Sequence, residues 1–180
     1  MNKVKIEESD FLKLGRDLME VGKSGRPRYV EEAEALENDG RKRVIEDRET
    51  NEPYLERYYY MNFRPFARIV IHKFLRSDVD GLHDHPWPFE TFILSGGYWE
   101  FIESDFLGEG PVKIWRAPGY HGMKKASHFH RLELDRDKAG EDTWTLFLMG
   151  PKVGKDWGFL DKEGNWIQWE EYLNKRKNKL

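Results

Sequence analysis

The pattern of apolar and polar residues predicts two short helices followed by a long series of strands. Apolar residues recur at about helical spacing after Ser9 and Asp10, and Gly22 is predicted to end this first helix. A second short helix is predicted over residues 31–37, before the turn sequence of residues 38–40. We expect both helices to pack on the outside of a sheet, because neither carries residues that suggest chemistry.

From residue 42 onward the pattern is typical of strands separated by turns. Strands are predicted over residues 43–47, 54–60, 66–75, 92–94, 98–102, 112–115, 143–149, 158–160 and 166–169. Turn sequences separate several of them, among them residues 50–53, the pair Gly96 and Gly97, and residues 164–165. Many short strands with helices mainly at the ends indicate an all-β sandwich or barrel with peripheral helices.

Composition supports a folded protein and narrows its chemistry. The 180 residues are only 38% hydrophobic and 35% charged, but seven Trp, eight Tyr and eleven Phe supply large core side chains. The formal net charge of −3 gives no reason to expect nucleic-acid or anionic-membrane binding. Because cysteine is absent, any metal must be bound by nitrogen and oxygen atoms. Since the N-terminal residues have no signal-like apolar segment, we expect a cytoplasmic protein.

Two histidine pairs carry the candidate chemistry. His83 and His85 are two positions apart, so their side chains project to the same side of an extended chain and form half of a metal site. Glu90 follows where the backbone can double back, and His128 and His130 repeat the spacing further along. His130 is the candidate third imidazole. Neutral imidazoles and a carboxylate suit Fe, Zn, Ni, Cu or Mn, and sequence does not choose among these metals.

Structural explanations of the same residues stay open. The His83–His85 pair could be part of a polar loop between strands, and Glu90 could form a salt bridge or turn, which would leave a site of histidines alone. His72 lies in the middle of a predicted strand, and we expect it to be a packed or hydrogen-bonded side chain.

The histidine segments resemble the two motifs of the cupin superfamily. The first motif, His-x-His, four residues, Glu and then a glycine, is matched from His83 to Gly97. In the second motif a Pro-Gly turn leads through a strand to a histidine, and the segment that begins at Pro118 matches it with His130 as ligand. His128 in place of His130 is the alternative register. Two features depart from the pattern: Gly81 lies only two residues before the first histidine, and Leu134 stands where Asn is expected.

The resemblance covers about residues 68–149 and implies a double-stranded β-helix, a small barrel with one metal ion inside one end. The sequence also resembles small cupin proteins of phage and bacterial genomes. The implied ligands are His83, His85, Glu90 and His130. We expect one domain overall, with a helical extension packed on the barrel (residues 1–41), the barrel itself (residues 42–170) and a C-terminal tail with a short helix (residues 171–180).

The function implied by the resemblance is that of a metal-binding cupin protein with one divalent ion (Fe, Zn, Ni or Mn). We favour an iron-type oxygenase or hydroxylase that acts on a small polar molecule. A non-catalytic metal- or ligand-binding module and a metal-dependent sugar isomerase are the alternatives. 2-Oxoglutarate is a candidate cosubstrate without a supporting motif, and a homodimer is a candidate assembly. The candidate pocket residues are Arg68, Trp87, Tyr120, His128 and Trp144.

Overall fold

Strands predominate in the computed structural model, which describes residues 7–47, 50–63, 66–78, 80–104, 110–154 and 156–177. Residues 1–6 of the predicted N-terminal extension and residues 178–180 of the predicted tail lie outside the described residues. The elements are α1 (Glu8–Met19), α2 (Arg28–Asn38), β1 (Lys42–Glu46), β2 (Pro53–Phe63), β3 (Ala67–Phe74), β4 (Phe89–Ser95), β5 (Tyr98–Ile102), β6 (Val112–Arg116), β7 (His121–Lys124), β8 (His130–Glu133), α3 (Arg136–Ala139), β9 (Trp144–Met149), β10 (Gly158–Leu160), β11 (Trp166–Gln168) and α4 (Trp169–Lys177).

The strands form a large sheet and a small sheet, both antiparallel. The large sheet has the order β1-β2-β3-β9-β4-β7, and the small sheet has the order β6-β5-β8. Strands β10 and β11 make a separate hairpin near the C-terminus. Isolated bridges from His83 to His130 and to Phe159 join the segment after β3 to β8 and to this hairpin. The predicted mainly-β class with helices at the ends is confirmed.

The two faces of the large sheet bury different sets of residues, because side chains alternate along a strand. One face carries a core shared with α1 and α2. The opposite face, together with the small sheet, forms the barrel interior. The first core includes Phe11, Leu18, Tyr29, Tyr58, Ile71, Phe92, Trp144 and Leu146. The second includes Leu55, Phe74, Ile93, Tyr98 and Leu132. Burying such side chains stabilises the fold by about 1.5–3 kcal/mol each.

The helices differ slightly from the predicted ones. The first helix ends at Met19 and not at Gly22, because Val21 already pairs with Pro27 in an isolated bridge and the Gly22 N–H donates to the Arg26 carbonyl. The second begins at Arg28, immediately after a proline. Pro27 is therefore the last residue of the connection between α1 and α2. Within the described part of the chain, no helix combines the length and apolar character that crossing a bilayer requires.

Gly97, which connects β4 to β5, is expected to be sensitive to substitution. Its φ is +125°, and a Cβ atom there would lie 2.6 Å from the Arg116 carbonyl oxygen. Gly97→Ala should therefore lower the free energy of unfolding by about 1–3 kcal/mol in urea denaturation. Gly119→Ala is the matched control, since that glycine has a φ of +85° but free space around its Cβ position. Equal losses of stability in both variants would show that the positive φ, and not the close contact, causes the loss.

Candidate metal centre

Three histidines converge at one end of the barrel interior. The ligand nitrogens of His83, His85 and His130 lie within 4.8 Å of one another, close enough to hold one metal ion. The Nε2 atoms of His85 and His130 are 2.9 Å apart, and the ring centroids of the three residues are separated by 5.1–5.3 Å. The structure thus brings together these three of the predicted ligands, from two segments about 45 residues apart in the chain.

Backbone hydrogen bonds place the first pair of histidines beside the third. The backbone N–H groups of His83 and His130 each donate to the carbonyl of the other, at 2.9 and 3.0 Å, and His85 N–H donates to the Ala126 carbonyl. Asp84, between the paired histidines, points the other way and accepts a hydrogen bond from the Gly158 N–H at 2.8 Å. Because the segment is extended there, both imidazoles face the same side.

A buried carboxylate determines which nitrogen of His130 is available to a metal. Nδ1 of His130 lies 3.3 Å from Oε1 of Glu100. Since a carboxylate only accepts, Nδ1 must carry the proton, and the lone pair of Nε2 then faces His85. Burial lowers the pKa of both His85 and His130; neighbouring histidines add to the effect, and Glu100 opposes it at His130 without cancelling it. Both rings are therefore held neutral, which is the form that binds metals.

Glu100 was not predicted as a site residue, although it is a deeply buried acid beside the centre. It is 2% exposed on β5, and it accepts from Arg116 Nε at 2.7 Å and lies 3.6 Å from Lys124 Nζ. Burial alone would raise its pKa, but the interactions with His128 and His130 outweigh burial and hold the pKa far below its usual range. One sequence signal could have identified it. Glu100 lies two positions after Tyr98 on an aromatic strand, so the two side chains share a face, and the charge falls on the inward face.

Glu90, the predicted carboxylate ligand, lies outside this group. Its Oε2 is 3.1 Å from Nε2 of His121, on the face of the large sheet that α1 covers. The preceding residue, Phe89, occupies the inward position instead, with its ring centroid 4.9 Å from that of His85 and 5.4 Å from that of His130. Because successive side chains on β4 face opposite ways, Phe89 and Glu90 cannot both point inward. The structure places Glu90 in a hydrogen bond across strands.

A second group of ligand atoms shares one residue with the first. Glu100, His128 and His130 also offer atoms within 4.8 Å of one another. This group is less suited to a cation, because Arg116 and Lys124 already place two positive charges beside the same carboxylate. We therefore regard Glu100 as the group that orients His130, and the three histidines as the ligand set.

Four of the predicted pocket residues lie in or near the barrel interior. Trp87 lies parallel to His85, with ring centroids 6.4 Å apart, and lines a cavity of about 40 Å³ together with Arg68. His128 lines a larger cavity of about 350 Å³, beside Lys124. Tyr120 lies under the guanidinium of Arg116 at 4.3 Å. Of these residues, Trp87 and His128 have ring contacts with the ligand histidines.

Trp144, the fifth predicted pocket residue, lies elsewhere. Its ring packs between those of Tyr29 and Tyr58, at centroid distances of 5.4 and 5.9 Å, in the core beneath the helices. The reason is again alternation. Thr145, its neighbour on β9, takes the inward position, and Trp144 takes the outward one. Nearness in sequence to the ligand motifs was therefore a poor guide to which face a side chain occupies.

Comparison with known proteins supports the fold. No family model matches the chain, and no curated protein matches it in sequence. Among solved structures it is similar to the DMSP lyase DddQ of Ruegeria pomeroyi DSS-3, with 14% identity, a TM-score of 0.52 and coverage of 92% of this chain and 83% of that one. An RmlC-like cupin protein of Ralstonia eutropha JMP134 matches with 15% identity, a TM-score of 0.46 and coverage of 77% and 81%.

The hydroxypropylphosphonic acid epoxidase of S. wedmorenis also matches, with 12% identity, a TM-score of 0.46 and coverage of 61% of this chain. The match spans 56% of the length of the epoxidase. At such identities the likeness concerns the fold alone. Two antiparallel sheets with three convergent histidines at one end agree with it. The chain therefore has a cupin-like fold, which it shares with DddQ.

Proposed function

We propose that the protein is a mononuclear metal-dependent enzyme, an iron-type oxygenase or hydroxylase that acts on a small polar molecule. The observation that carries the proposal is the convergence of His83, His85 and His130, with their ligand atoms within 4.8 Å of one another. Glu100 supports it, because a carboxylate on the far nitrogen of a ligating histidine fixes the ring and increases its basicity. Iron, zinc, nickel and manganese are all compatible with imidazole ligands.

A catalytic role is favoured over a purely structural one by the number of ligands. Three protein ligands leave coordination positions for substrate, and a metal bound there would act as a Lewis acid. An open hollow of about 350 Å³ lies beside His128 and Lys124, although none of the three ligand histidines lines it. Nε2 of His128 is buried at the edge of this hollow, 3.6 Å from Oε1 of Glu100.

Iron binding with open positions is the first test of the proposal. Protein purified without chelator, then loaded with Fe(II) under anaerobic conditions, is expected to hold about one iron per chain by elemental analysis. Addition of nitric oxide, a probe for the oxygen-binding position, should give the electron paramagnetic resonance signal of a high-spin ferrous nitrosyl. Full iron content without this signal would indicate a closed coordination sphere and would favour the non-catalytic binding module.

The same material separates the remaining candidates. Oxygen uptake by the iron-loaded protein with a panel of small polar compounds, with and without 2-oxoglutarate, is expected for an oxygenase and not for a sugar isomerase. Interconversion of aldose and ketose substrates without oxygen uptake would favour the isomerase. The partner that we propose is a small molecule. A homodimer and a cytoplasmic location stay predictions.

A further inference from the structure

Arg57 places a positive charge in the barrel interior without an acidic partner. It lies on β2 directly opposite His72 of β3, and its Nε donates to Nε2 of His72 at 2.9 Å. Burial lowers the pKa of Arg57, the Tyr59 hydroxyl opposes this effect, and the nearby charge of Arg68 adds to it. Among the described residues, no carboxylate lies within salt-bridge distance of this guanidinium.

His72 adds an unpaired donor to the same surface. The residue is 3% exposed, and burial holds its pKa well below the usual value, so the ring is neutral. Because Nε2 accepts from Arg57, the proton of the neutral ring must be on Nδ1. Nδ1 is buried and has no hydrogen-bond partner. A buried donor without an acceptor destabilises the fold, so a ligand that supplies an acceptor nearby would be stabilising.

A ring stack connects this surface to the histidine centre. The ring of His72 lies 5.1 Å from that of Phe147, which stacks on Phe89 at 4.9 Å. Phe89 in turn contacts His85 at 4.9 Å. Arg57 and the proposed metal ligands therefore belong to one interior and are separated by two aromatic rings.

The small cavity that Trp87 lines has cations and a donor in its wall and, among the described residues, no acid, although Asp156 lies near Lys152. It has a volume of about 40 Å³, and its lining includes Arg68, Trp87 and Lys152. The remaining lining residues are Ala67, Met149 and Gly150. Nε1 of Trp87 is buried and has no hydrogen-bond partner. A cavity of this size holds a group of a few atoms, such as the charged end of a ligand and not a whole substrate.

The carboxylates of the centre are occupied by other partners. Glu100 is paired with Arg116 and Lys124. Asp78 accepts hydrogen bonds from the Tyr54 hydroxyl and from the Leu132 N–H. Both acids are therefore engaged by groups other than Arg57 and Arg68.

We infer that the small molecule bound at this centre carries a carboxylate or phosphate group, which Arg68, Lys152 and the indole N–H of Trp87 bind beside His85. Arg57 stabilises the same negative charge from the neighbouring strand. Arginine and lysine bind such oxyanions through charge-assisted hydrogen bonds, which are stronger than neutral ones. This inference rests on the proposed function for the location of the ligand, and it adds the chemical class of that ligand.

Binding of two simple anions tests the inference. The metal-loaded protein is titrated with inorganic phosphate and, separately, with acetate in an isothermal calorimeter at constant ionic strength. Saturable binding of at least one anion is expected. In the double variant Arg68→Gln/Lys152→Gln the affinity should fall at least tenfold, because each lost charge-assisted hydrogen bond accounts for about a tenfold change. Trp87→Phe keeps the ring and removes the N–H, so a smaller loss is expected. The anion that binds more tightly identifies the headgroup.

The control variant carries the same change of charge on the outer face of the small sheet. Lys113→Gln/Lys138→Gln removes two cations that lie over the ring of Trp99, away from the interior. It is expected to bind the anions as the wild type does. An equal loss in this control would show that net charge alone drives binding and would overturn the inference, as would wild-type affinity in Arg68→Gln/Lys152→Gln.

Metal content measured on the same samples separates this inference from the proposed function. Full metal content without saturable anion binding would overturn the anion site and leave the metal centre standing. Anion binding that depends on Arg68 and Lys152 in a protein that holds no metal would support the anion site and contradict the proposed enzyme.

Discussion

Replacement of His130 with alanine is expected to reduce bound metal to the background level found by elemental analysis. His130 contributes the ligand nitrogen that lies 2.9 Å from Nε2 of His85, and its proton on Nδ1 is held by Glu100. Without it only the pair of residues 83 and 85 remains, and two imidazoles on one strand bind a divalent ion far more weakly than three. His83→Ala should have the same effect.

The matched controls are changes at the hydrogen-bonded pair Glu90 and His121 on the other face of β4. Glu90→Gln and His121→Gln alter residues that lie 3.1 Å apart beneath α1 and away from the three histidines. Both variants are expected to keep the metal content of the wild type. Loss of metal in Glu90→Gln but not in His121→Gln would return Glu90 to the ligand set. Full metal content in His130→Ala would instead show that the ligand register is wrong.

Glu100→Gln is expected to have the largest effect on stability. The carboxylate is 2% exposed, and Arg116 lies 2.7 Å from it. Removing one member of a buried ion pair leaves an uncompensated charge and costs about 3–5 kcal/mol. The free energy of unfolding, measured by urea denaturation of the metal-free protein, should fall by this amount. Metal affinity, measured by competition with a chelator, should weaken about 10–100-fold, because His130 loses the group that orients it.

Glu133→Gln serves as the control for this change, since Glu133 lies on β8 of the same sheet but pairs with Lys113 at the surface. A surface ion pair contributes about 0–1 kcal/mol, so little change is expected. Similar small losses of stability in both variants would show that the buried ion pairs of Glu100 do not stabilise the fold.

The pH dependence of stability provides an independent measure of the same carboxylate. The pKa of Glu100 is lowered in the folded protein, from an ordinary value of about 4.3. A group with a lowered folded pKa stabilises the fold above its unfolded pKa, and this contribution is lost as the pH falls below that value. The wild type should therefore lose stability more steeply than Glu100→Gln as the pH falls below about 4. Parallel pH profiles of the two proteins would contradict this assignment.

Local sequence alone determined the fold class and the approximate position of most strands. The strong β propensity of residues 66–75 and 143–149 corresponds to β3 and β9, which pair with each other at the centre of the large sheet. The spacing of His83 and His85 was also informative. Side chains two positions apart on an extended segment point to the same side, whatever the rest of the chain does. These features depend on residues that are close together in the chain, so they can be predicted from the sequence.

Which side chains face the interior was decided by the tertiary structure. Glu90 and Glu100 are both strand residues in similar sequences, but only Glu100 faces the histidines, because the register of β4 after the Pro86–Pro88 segment turns Phe89 inward. A shift of one residue would exchange the two faces of that strand. Arg57 likewise meets His72 only through the pairing of β2 with β3. Alternation follows from local geometry, but its phase depends on contacts between distant strands, which a single sequence does not contain.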